Sequence, residues 1–126
     1  SSNFIIDENF EYKKWGGNFD YIISISLFTH LPISKIKSCL DAVSNAISPE
    51  GKYFTSFFRL ECDEFEKESY HNELGIKTHD DLDPFHQKIS VLRKISEPMD
   101  MEIDYKGSWK HPRGQEMILF KKTQRA

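Results

Sequence analysis

The sequence predicts an α/β fold with a mostly parallel sheet that ends in a C-terminal antiparallel β-hairpin. Three observations carry this prediction. Two apolar runs lack clean alternation, which is typical of strands covered on both faces. A stripe of apolar residues at helical spacing lies between them. Two further strand-like runs then close the chain around a turn. Since 126 residues suffice for one compact domain, we treat residues 1–126 as a single domain.

The first half of the chain contains a strand–helix–strand unit. After a short apolar run at 3–6, the β-branched and aromatic residues of 19–28 predict a buried strand. Ser34 is the predicted N-cap of the next helix, and Pro49 with Gly51 is expected to end it. Residues 53–58 form the second buried strand. The helical stripe consists of Ile33, Ile36, Leu40, Val43 and Ile47.

The second half is less regular. Residues 59–83 are polar and acidic without a sustained period, so we expect a surface excursion there, with room for a short helix. Asp83 as N-cap and Pro84 at the first helical position predict the next helix. Alternation over 101–105 and the apolar run 117–120 predict the two strands of the closing hairpin. The apolar positions of the second helix are Phe85, Ile89, Leu92 and Ile95.

Composition excludes some function classes. The chain has 17 basic and 20 acidic residues, so no basic excess favours nucleic acid as a partner. The longest apolar run, 21–28, contains two serines and is far shorter than a membrane span. Cys39 and Cys62 show no metal or redox spacing, and Cys39 falls in a helical pattern as a small packed residue. These features predict a cytoplasmic protein without membrane attachment.

Three segments in order resemble the class I S-adenosylmethionine-dependent methyltransferases. Residues 19–24 followed by Phe-Thr-His-Leu-Pro at 28–32 are similar to the fourth strand and following loop of that family. Residues 47–54 resemble its turn into the fifth strand, although Glu50 stands where glycine is more usual. Residues 109–117 are similar to the final hairpin of some members. The resemblance implies a partial Rossmann-like methyltransferase sheet, the C-terminal half of the domain.

The resemblance also implies what the sequence lacks. The family holds its cofactor on a glycine-rich turn after the first strand, and the six glycines of this chain form no G-x-G. Two βα units of about 30 residues each would precede Asn3 in a complete domain. The chain alone is therefore expected to be inactive, and its activity is an inference about a longer protein.

The family's cofactor contacts map onto two loops. The resemblance implies that S-adenosylmethionine is bound by the following residues: Glu8, Asn9 and Phe10 in the loop that meets adenine, Ser26 and Leu27 beside the methionine part, and Thr29 in the loop above. Three of them also have a structural alternative. Glu8 suits a solvated loop, Phe10 suits the core, and Ser26 suits a strand interior.

His30 is the candidate catalytic residue. An imidazole titrates near neutrality, so His30 in the loop over the cofactor can act as a general base. The alternative is a hydrogen-bonded structural histidine. No metal is expected, because the other histidines lack ligand spacing and the acidic run 80–83 lacks the glycine and terminal glutamate of a calcium loop.

Two functions follow from these expectations. The first is methyl transfer to a small-molecule acceptor. The alternative is a non-catalytic Rossmann-like module that self-associates or pairs with another chain. The missing first strand would leave the edge of 19–28 bare, which predicts either a homo-oligomer through that edge or a compensating rearrangement. A hydrolase is disfavoured because the sequence contains no G-x-S-x-G.

Overall fold

The computed structural model describes residues 18–60, 69–72 and 74–123. Two α-helices and seven β-strands lie in these ranges. In chain order they are β1 (Phe19–Ser24), α1 (Ile33–Ala46), β2 (Ile47–Arg59), β3 (Ser69–His71), β4 (Lys77–His79), β5 (His86–Gln87), α2 (Ile89–Ser96), β6 (Met101–Ser108) and β7 (Glu116–Lys122). Short 3₁₀ helices occupy Phe28–His30 and Glu97–Met99.

The main sheet has the strand order β1-β2-β7-β6, and β5 also pairs with the end of β2. β1 and β5 run parallel to β2, whereas β7 is antiparallel to both β2 and β6. The α/β class and the closing antiparallel hairpin are therefore confirmed. Parallel and antiparallel pairings are equally represented among the described strands of this sheet, because β7 enters it between β2 and β6.

One face of the sheet carries the core. Tyr53, Phe57, Ile118 and Phe120 on β2 and β7 are buried there with α1 and α2 residues. The ring of Tyr53 stacks on Phe120 at a centroid distance of 5.9 Å and meets Phe28 edge-on at 6.2 Å. The helices bury Ile36, Cys39, Leu40, Val43 and Leu92. Burial of this apolar surface at about 25 cal/mol per Å² is the main stabilising contribution.

The limits of α1 differ from those predicted. The helix begins at Ile33, directly after Pro32, so Ser34 lies inside it and not at its N-cap. It ends at Ala46, before Pro49, because Ile47 is already extended and pairs with Phe19 of β1. β2 therefore begins six residues earlier than predicted. Ile33, at the start of the predicted stripe, is 39% exposed.

Gly51 allows β1 and β2 to approach closely at an irregularity in their pairing. The register shifts between Phe19 and Tyr21, opposite this glycine. A Cβ atom at Gly51 would lie 2.8 Å from the carbonyl oxygen of Phe19 and would clash with Cγ1 of Ile47. Gly51 therefore does not end α1, although its place in the sequence predicts a helix stop; its role is to leave room for the neighbouring backbone.

The predicted helix start at Asp83-Pro84 is wrong. The helix α2 begins at Ile89, and the residues before it pair laterally. The carbonyl oxygen of Pro84 accepts a hydrogen bond from the amide of His79 (2.9 Å), and β5 pairs with Phe58 and Arg59 of β2. Because these backbone groups are used in extended pairings, a helix does not form there.

The excursion contains a small hairpin in its described part. β3 and β4 pair antiparallel through Ser69–His79, Tyr70–Thr78 and His71–Lys77. Arg59, which was expected to open the excursion, is the last residue of β2. The strand predicted at 3–6 and Cys62 lie outside the described residues. No helix in the described part of the chain is both long and apolar enough to cross a membrane.

His86 on β5 is a buried polar residue. It is 4% exposed, and its Nδ1 lies 3.0 Å from Oγ1 of Thr78. Its Nε2 is buried and has no hydrogen-bond partner among the described residues. Burial, the largest influence, lowers the pKa of the imidazole below its usual 6.5, against the opposing charge of Asp80.

We expect acid to destabilise the fold through His86. Because the pKa is lowered in the folded state, the unfolded chain binds the proton more readily. The contribution of a neutral His86 is fully present above pH 6.5, the unfolded value, and is lost as the pH falls towards the folded value. Urea unfolding at pH 7.5 and 5.5 should show a lower free energy of unfolding at the acid value.

A His86→Gln variant keeps hydrogen-bonding capacity towards Thr78 but does not titrate. It should show a shallower loss between the two pH values than the wild type. His71→Gln, which removes an exposed histidine from β3, serves as the matched control. If His86→Gln lost stability as steeply as the wild type, the assignment to His86 would be wrong.

Candidate functional site

The carboxyl ends of three strands meet at one edge of the sheet. β1 is parallel to β2, and β6 is parallel to β2 because each is antiparallel to β7. The turn after β1 and the connection from β6 to β7 therefore lie at the same edge. Ligands of open α/β sheets bind at this edge, outside the carboxyl ends of the strands.

The turn after β1 has an unusual backbone conformation at Ser26. Its φ is +61°, in the left-handed region that side-chain-bearing residues rarely adopt. The amide of Ser26 donates to Oγ of Ser56 on β2 (2.8 Å). Its carbonyl oxygen accepts from Oγ1 of Thr29 (3.0 Å). Side chains thus hydrogen-bond both the amide and the carbonyl oxygen of this strained residue.

Gln115, next to β7, completes this arrangement. Its Nε2 donates to Oγ of Ser26 (2.9 Å), and its Oε1 accepts from Oγ of Ser56 (2.6 Å). Ser56 is fully buried and Gln115 is 3% exposed. In a buried setting such bonds are costly to break, because each unpaired group would lose both water and its partner.

A second polar cluster lies just below the turn, on the core side of the sheet. Oγ of Ser24 is 2.7 Å from Oη of Tyr53 and 2.6 Å from Oγ1 of Thr55. Burial raises the pKa of Tyr53 well above its usual range, and the neighbouring Cys39 raises it further. The phenol is therefore neutral and acts as a fixed link between β1 and β2. Ser24 therefore has a structural role.

The predicted cofactor residues fall into two groups. Glu8, Asn9 and Phe10 lie outside the described residues. Ser26 and Thr29 come together in the turn, but their side chains are engaged in the internal hydrogen bonds above, and Thr29 is only 2% exposed. Leu27 is partly buried and packs against the core. What the turn can offer a ligand is its backbone and the half-exposed side chain of Ile25.

His30 pairs with Asp83, the residue that the sequence predicts as a helix N-cap. Its Nδ1 lies 2.8 Å from Oδ2 of Asp83, and the two side chains are 62% and 51% exposed. The backbone holds the pair together, since the amide of Phe85 donates to the carbonyl oxygen of Thr29 (2.8 Å). With Nδ1–H donating to the carboxylate, a neutral imidazole presents its lone pair on Nε2.

Three residues of the site were missed from the sequence: Ser56, Asp83 and Gln115. The signal for Ser56 was a polar residue in an apolar strand, but its partners are 30 and 59 residues away. Asp83 was interpreted as a helix N-cap. Gln115 follows Gly114 and precedes β7, and nothing local distinguishes it from a solvated loop residue. Long-range hydrogen bonds of this kind leave no periodic pattern.

The connection between β6 and β7, together with the strand ends beside it, carries aromatic and basic side chains at the same edge. The rings of Trp109 and His111 lie with centroids 5.4 Å apart, and Trp109 is 40% exposed. The guanidinium of Arg59 lies 5.5 Å from the centroid of Tyr105, and its Nε donates to Glu116 (2.9 Å). This loop is therefore a candidate acceptor-facing surface.

A further cleft among the described residues lies away from this edge of the sheet. A cleft of about 360 Å³ lies between the end of α2 and the start of β6, lined by Ser96, Met101 and Thr123 among others. It is at the amino end of β6, opposite the candidate site. No group of three or more potential metal ligands was found among the described residues.

Comparisons with known proteins connect this fold to methyltransferases. No family model and no curated protein matches the sequence. Solved structures do match in three dimensions. Magnesium protoporphyrin IX methyltransferase from Synechocystis, with bound S-adenosylhomocysteine, gives a TM-score of 0.60 at 12% identity, covering 89% of this chain and 48% of that one.

Two proteins from Burkholderia thailandensis give similar results. 1,6-Didemethyltoxoflavin-N1-methyltransferase has a TM-score of 0.57 at 14% identity, over 86% of this chain and 45% of that one. An O-methyltransferase family protein has a TM-score of 0.63 at 8% identity, over 98% and 36%. The chain spans less than half the length of each of these three structures. It therefore has the Rossmann-like fold of the class I S-adenosylmethionine-dependent methyltransferases, and it corresponds to part of the structures that carry that fold.

Proposed function

We propose that this chain is the C-terminal portion of an S-adenosylmethionine-dependent methyltransferase domain that acts on a small-molecule acceptor. The observation that carries the proposal is the left-handed turn at Ser26, fastened at the sheet edge where the carboxyl ends of β1, β2 and β6 meet. A methyltransferase-like fold with a rigid turn at this edge is suited to hold a ligand there.

The described residues fit part of such a cofactor site. S-adenosylmethionine supplies an activated methyl group on a sulfonium sulfur. The turn at 25–27 would hold the methionine part through its backbone and the half-exposed Ile25. Glu8, Asn9 and Phe10 are proposed for the adenine end. The sequence contains no G-x-G turn, so the cofactor contacts that such a turn makes must come from residues other than those named here.

His30 is the proposed general base. Asp83 orients the imidazole through Nδ1, which leaves Nε2 to accept a proton from an acceptor hydroxyl or amine. The 3₁₀ helix Phe28–His30 follows directly from the turn, so the imidazole and the proposed donor site are carried on one continuous segment. Such placement favours alignment of the two reactants, which is the main requirement of a displacement reaction.

A small-molecule acceptor is supported by two of the structural neighbours. Their names specify magnesium protoporphyrin IX and 1,6-didemethyltoxoflavin as the molecules on which they act. In this chain the exposed Trp109 and the adjacent His111 provide aromatic surface for such an acceptor. The aromatic residues and His30 belong to loops at the same edge of the sheet.

Binding of S-adenosylhomocysteine tests the proposal directly. We expect the intact chain to bind it weakly, with a Kd of about 1 mM, equivalent to about 4 kcal/mol, because only part of the contact surface is available. Calorimetric titration measures this. Ile25→Arg should weaken binding by placing a bulky charge at the turn.

Leu82→Arg is the matched control, since Leu82 is also an exposed aliphatic residue, 50% against 47% for Ile25, but lies outside the turn. It should leave the affinity unchanged. An absence of heat at several millimolar ligand would remove cofactor binding from this chain. Equal effects of the two variants would remove the turn from the binding site.

The role of His30 predicts a rate effect in the methyltransferase domain that contains this sequence. His30→Asn should lower methyl transfer to small phenols or N-heterocycles by about 100-fold, the lower range for a lost general base. His71→Asn is the control on an exposed histidine of β3. If His30→Asn transferred methyl groups at the wild-type rate, His30 would not be a general base. Its role would then be limited to holding the loop through Asp83.

One observation favours the alternative, a non-catalytic module that self-associates. Tyr21 and Ile23 of β1 are 67% and 65% exposed on the same face, and Ile25 in the turn that follows is 47% exposed. β1 is also an edge strand among the described strands. An apolar row beside unpaired strand edges favours association with a second copy.

Sedimentation velocity tests this alternative. We expect the wild type to associate at tens of micromolar, and Ile23→Lys to shift it towards the monomer because the lysine places a charge on the edge strand. Leu82→Lys, on a different exposed aliphatic residue, should sediment like the wild type. A monomeric wild type over this range would rule out self-association through β1.

A further inference from the structure

Ser26 is held by partners from three different parts of the chain. Its amide, its hydroxyl and its carbonyl oxygen are all hydrogen-bonded, to Ser56, Gln115 and Thr29 respectively. The left-handed backbone at Ser26 is unfavourable for a residue with a Cβ atom, so the surrounding contacts must maintain it. Two of these contacts come from residues outside the turn.

Gln115 connects those two contacts. Ser56 Oγ accepts from the Ser26 amide and donates to Gln115 Oε1 (2.6 Å), while Gln115 Nε2 donates back to Ser26 Oγ (2.9 Å). The three residues form a closed ring in which each hydrogen bond points in the same direction. In such a ring Ser56 and Gln115 must each both accept and donate, which a hydroxyl does through one oxygen and an amide through its oxygen and nitrogen.

The side chains of this ring are shielded from solvent. Ser56 is 0% and Gln115 3% exposed, so water cannot readily replace a hydrogen bond that the ring loses. Gln115 also lies at the end of the β6–β7 connection, which is fixed to the β3–β4 hairpin by a hydrogen bond from Asn72 Nδ2 to the carbonyl oxygen of Arg113 (2.9 Å). The position of that connection is thereby linked to the turn after β1.

We propose that Gln115 is a positioning residue of the candidate site: through Ser56 and the Ser26 hydroxyl, it holds the turn after β1 in the left-handed conformation that presents residues 25–27 to the ligand. The inference rests on the proposed function only for the identity of the ligand. The effect of Gln115 on the turn is independent of that function and can be measured without ligand.

Amide hydrogen exchange of the intact chain, read residue by residue by NMR, gives that measurement. Gln115→Met keeps the length of the side chain but removes both hydrogen bonds. The bond from the Ser26 amide to Ser56 contains no atom of Gln115. Exchange at Ser26 should nevertheless accelerate about tenfold, because the ring that orients Ser56 is opened. Exchange in the β2–β7 pairs should change no more than in the control.

The control is Ser96→Ala. Ser96 is a buried serine, 1% exposed, whose hydroxyl donates to the carbonyl oxygen of Arg93 (3.1 Å) in α2, away from the site. If Gln115→Met does not fold, Gln115→Leu replaces it, since it removes the same two hydrogen bonds and leaves Ser56 Oγ in place as the acceptor of the Ser26 amide. Thermal unfolding of each variant separates a local effect from general destabilisation.

Titration with S-adenosylhomocysteine then completes the test, with an expected loss of affinity of about tenfold in Gln115→Met. Unchanged exchange at Ser26, exchange raised equally across the sheet, or unchanged affinity despite faster exchange would each overturn the proposal. If the wild type binds no S-adenosylhomocysteine but Ser26 exchanges faster in the variant, the proposed function of this chain fails while the hold of Gln115 on the turn stands.

Discussion

The parallel pairing of β1 with β2 is the constraint on which the rest of the structure depends. It places the carboxyl ends of both strands at one edge, so the turn after β1 lies at the edge where open α/β sheets generally bind ligands. β2 also pairs with β7 and with β5, so it fixes three other strands. The connection after β6 reaches the same edge only because β7 returns antiparallel between β6 and β2.

The two faces of β2 have different roles. On one face Tyr53 and Phe57 belong to the core with both helices, and the phenol of Tyr53 links β1 to β2 through Ser24. On the other face Ser56 is buried under Gln115 and holds the turn. Successive residues of a strand point to opposite faces, so one strand serves both purposes with adjacent side chains.

The sequence predicted the parts of the fold that depend on local patterns. Apolar runs identified β1 and the second half of β2, helical spacing identified α1, and alternation identified the closing hairpin. The misplaced boundaries have a common physical cause. The segments 47–52 and 84–87 contain proline or glycine, which favour turns, but their backbones find strand partners elsewhere in the chain. Pairing across 28 residues, as between Phe19 and Ile47, overrides a local turn signal.

The structure brings four of the residues predicted for the site together, but the hydrogen bonds that connect them to the rest of the chain were not predicted. A resemblance to sequence motifs of a known family pointed to Ser26, Leu27, Thr29 and His30. The structure places all four in or directly after one turn. The groups that hold them, Ser56, Asp83 and Gln115, come from distant segments. Hydrogen bonds between residues 53 or 89 positions apart depend on the folded geometry, and no spacing rule reveals them.

The contact between Asn72 and the β6–β7 connection has a consequence for how such proteins diverge. Asn72 caps its own hairpin tip through the amides of Leu74 and Ile76, and it also bonds to Arg113. Gly114 has φ of +82°, and a Cβ atom there would lie 2.7 Å from Nδ2 of Asn72. The two loops therefore fit together as a matched pair. Exchange of one loop for that of a homologue would require exchange of the other, so the pair forms a single unit for recombination and for loop grafting.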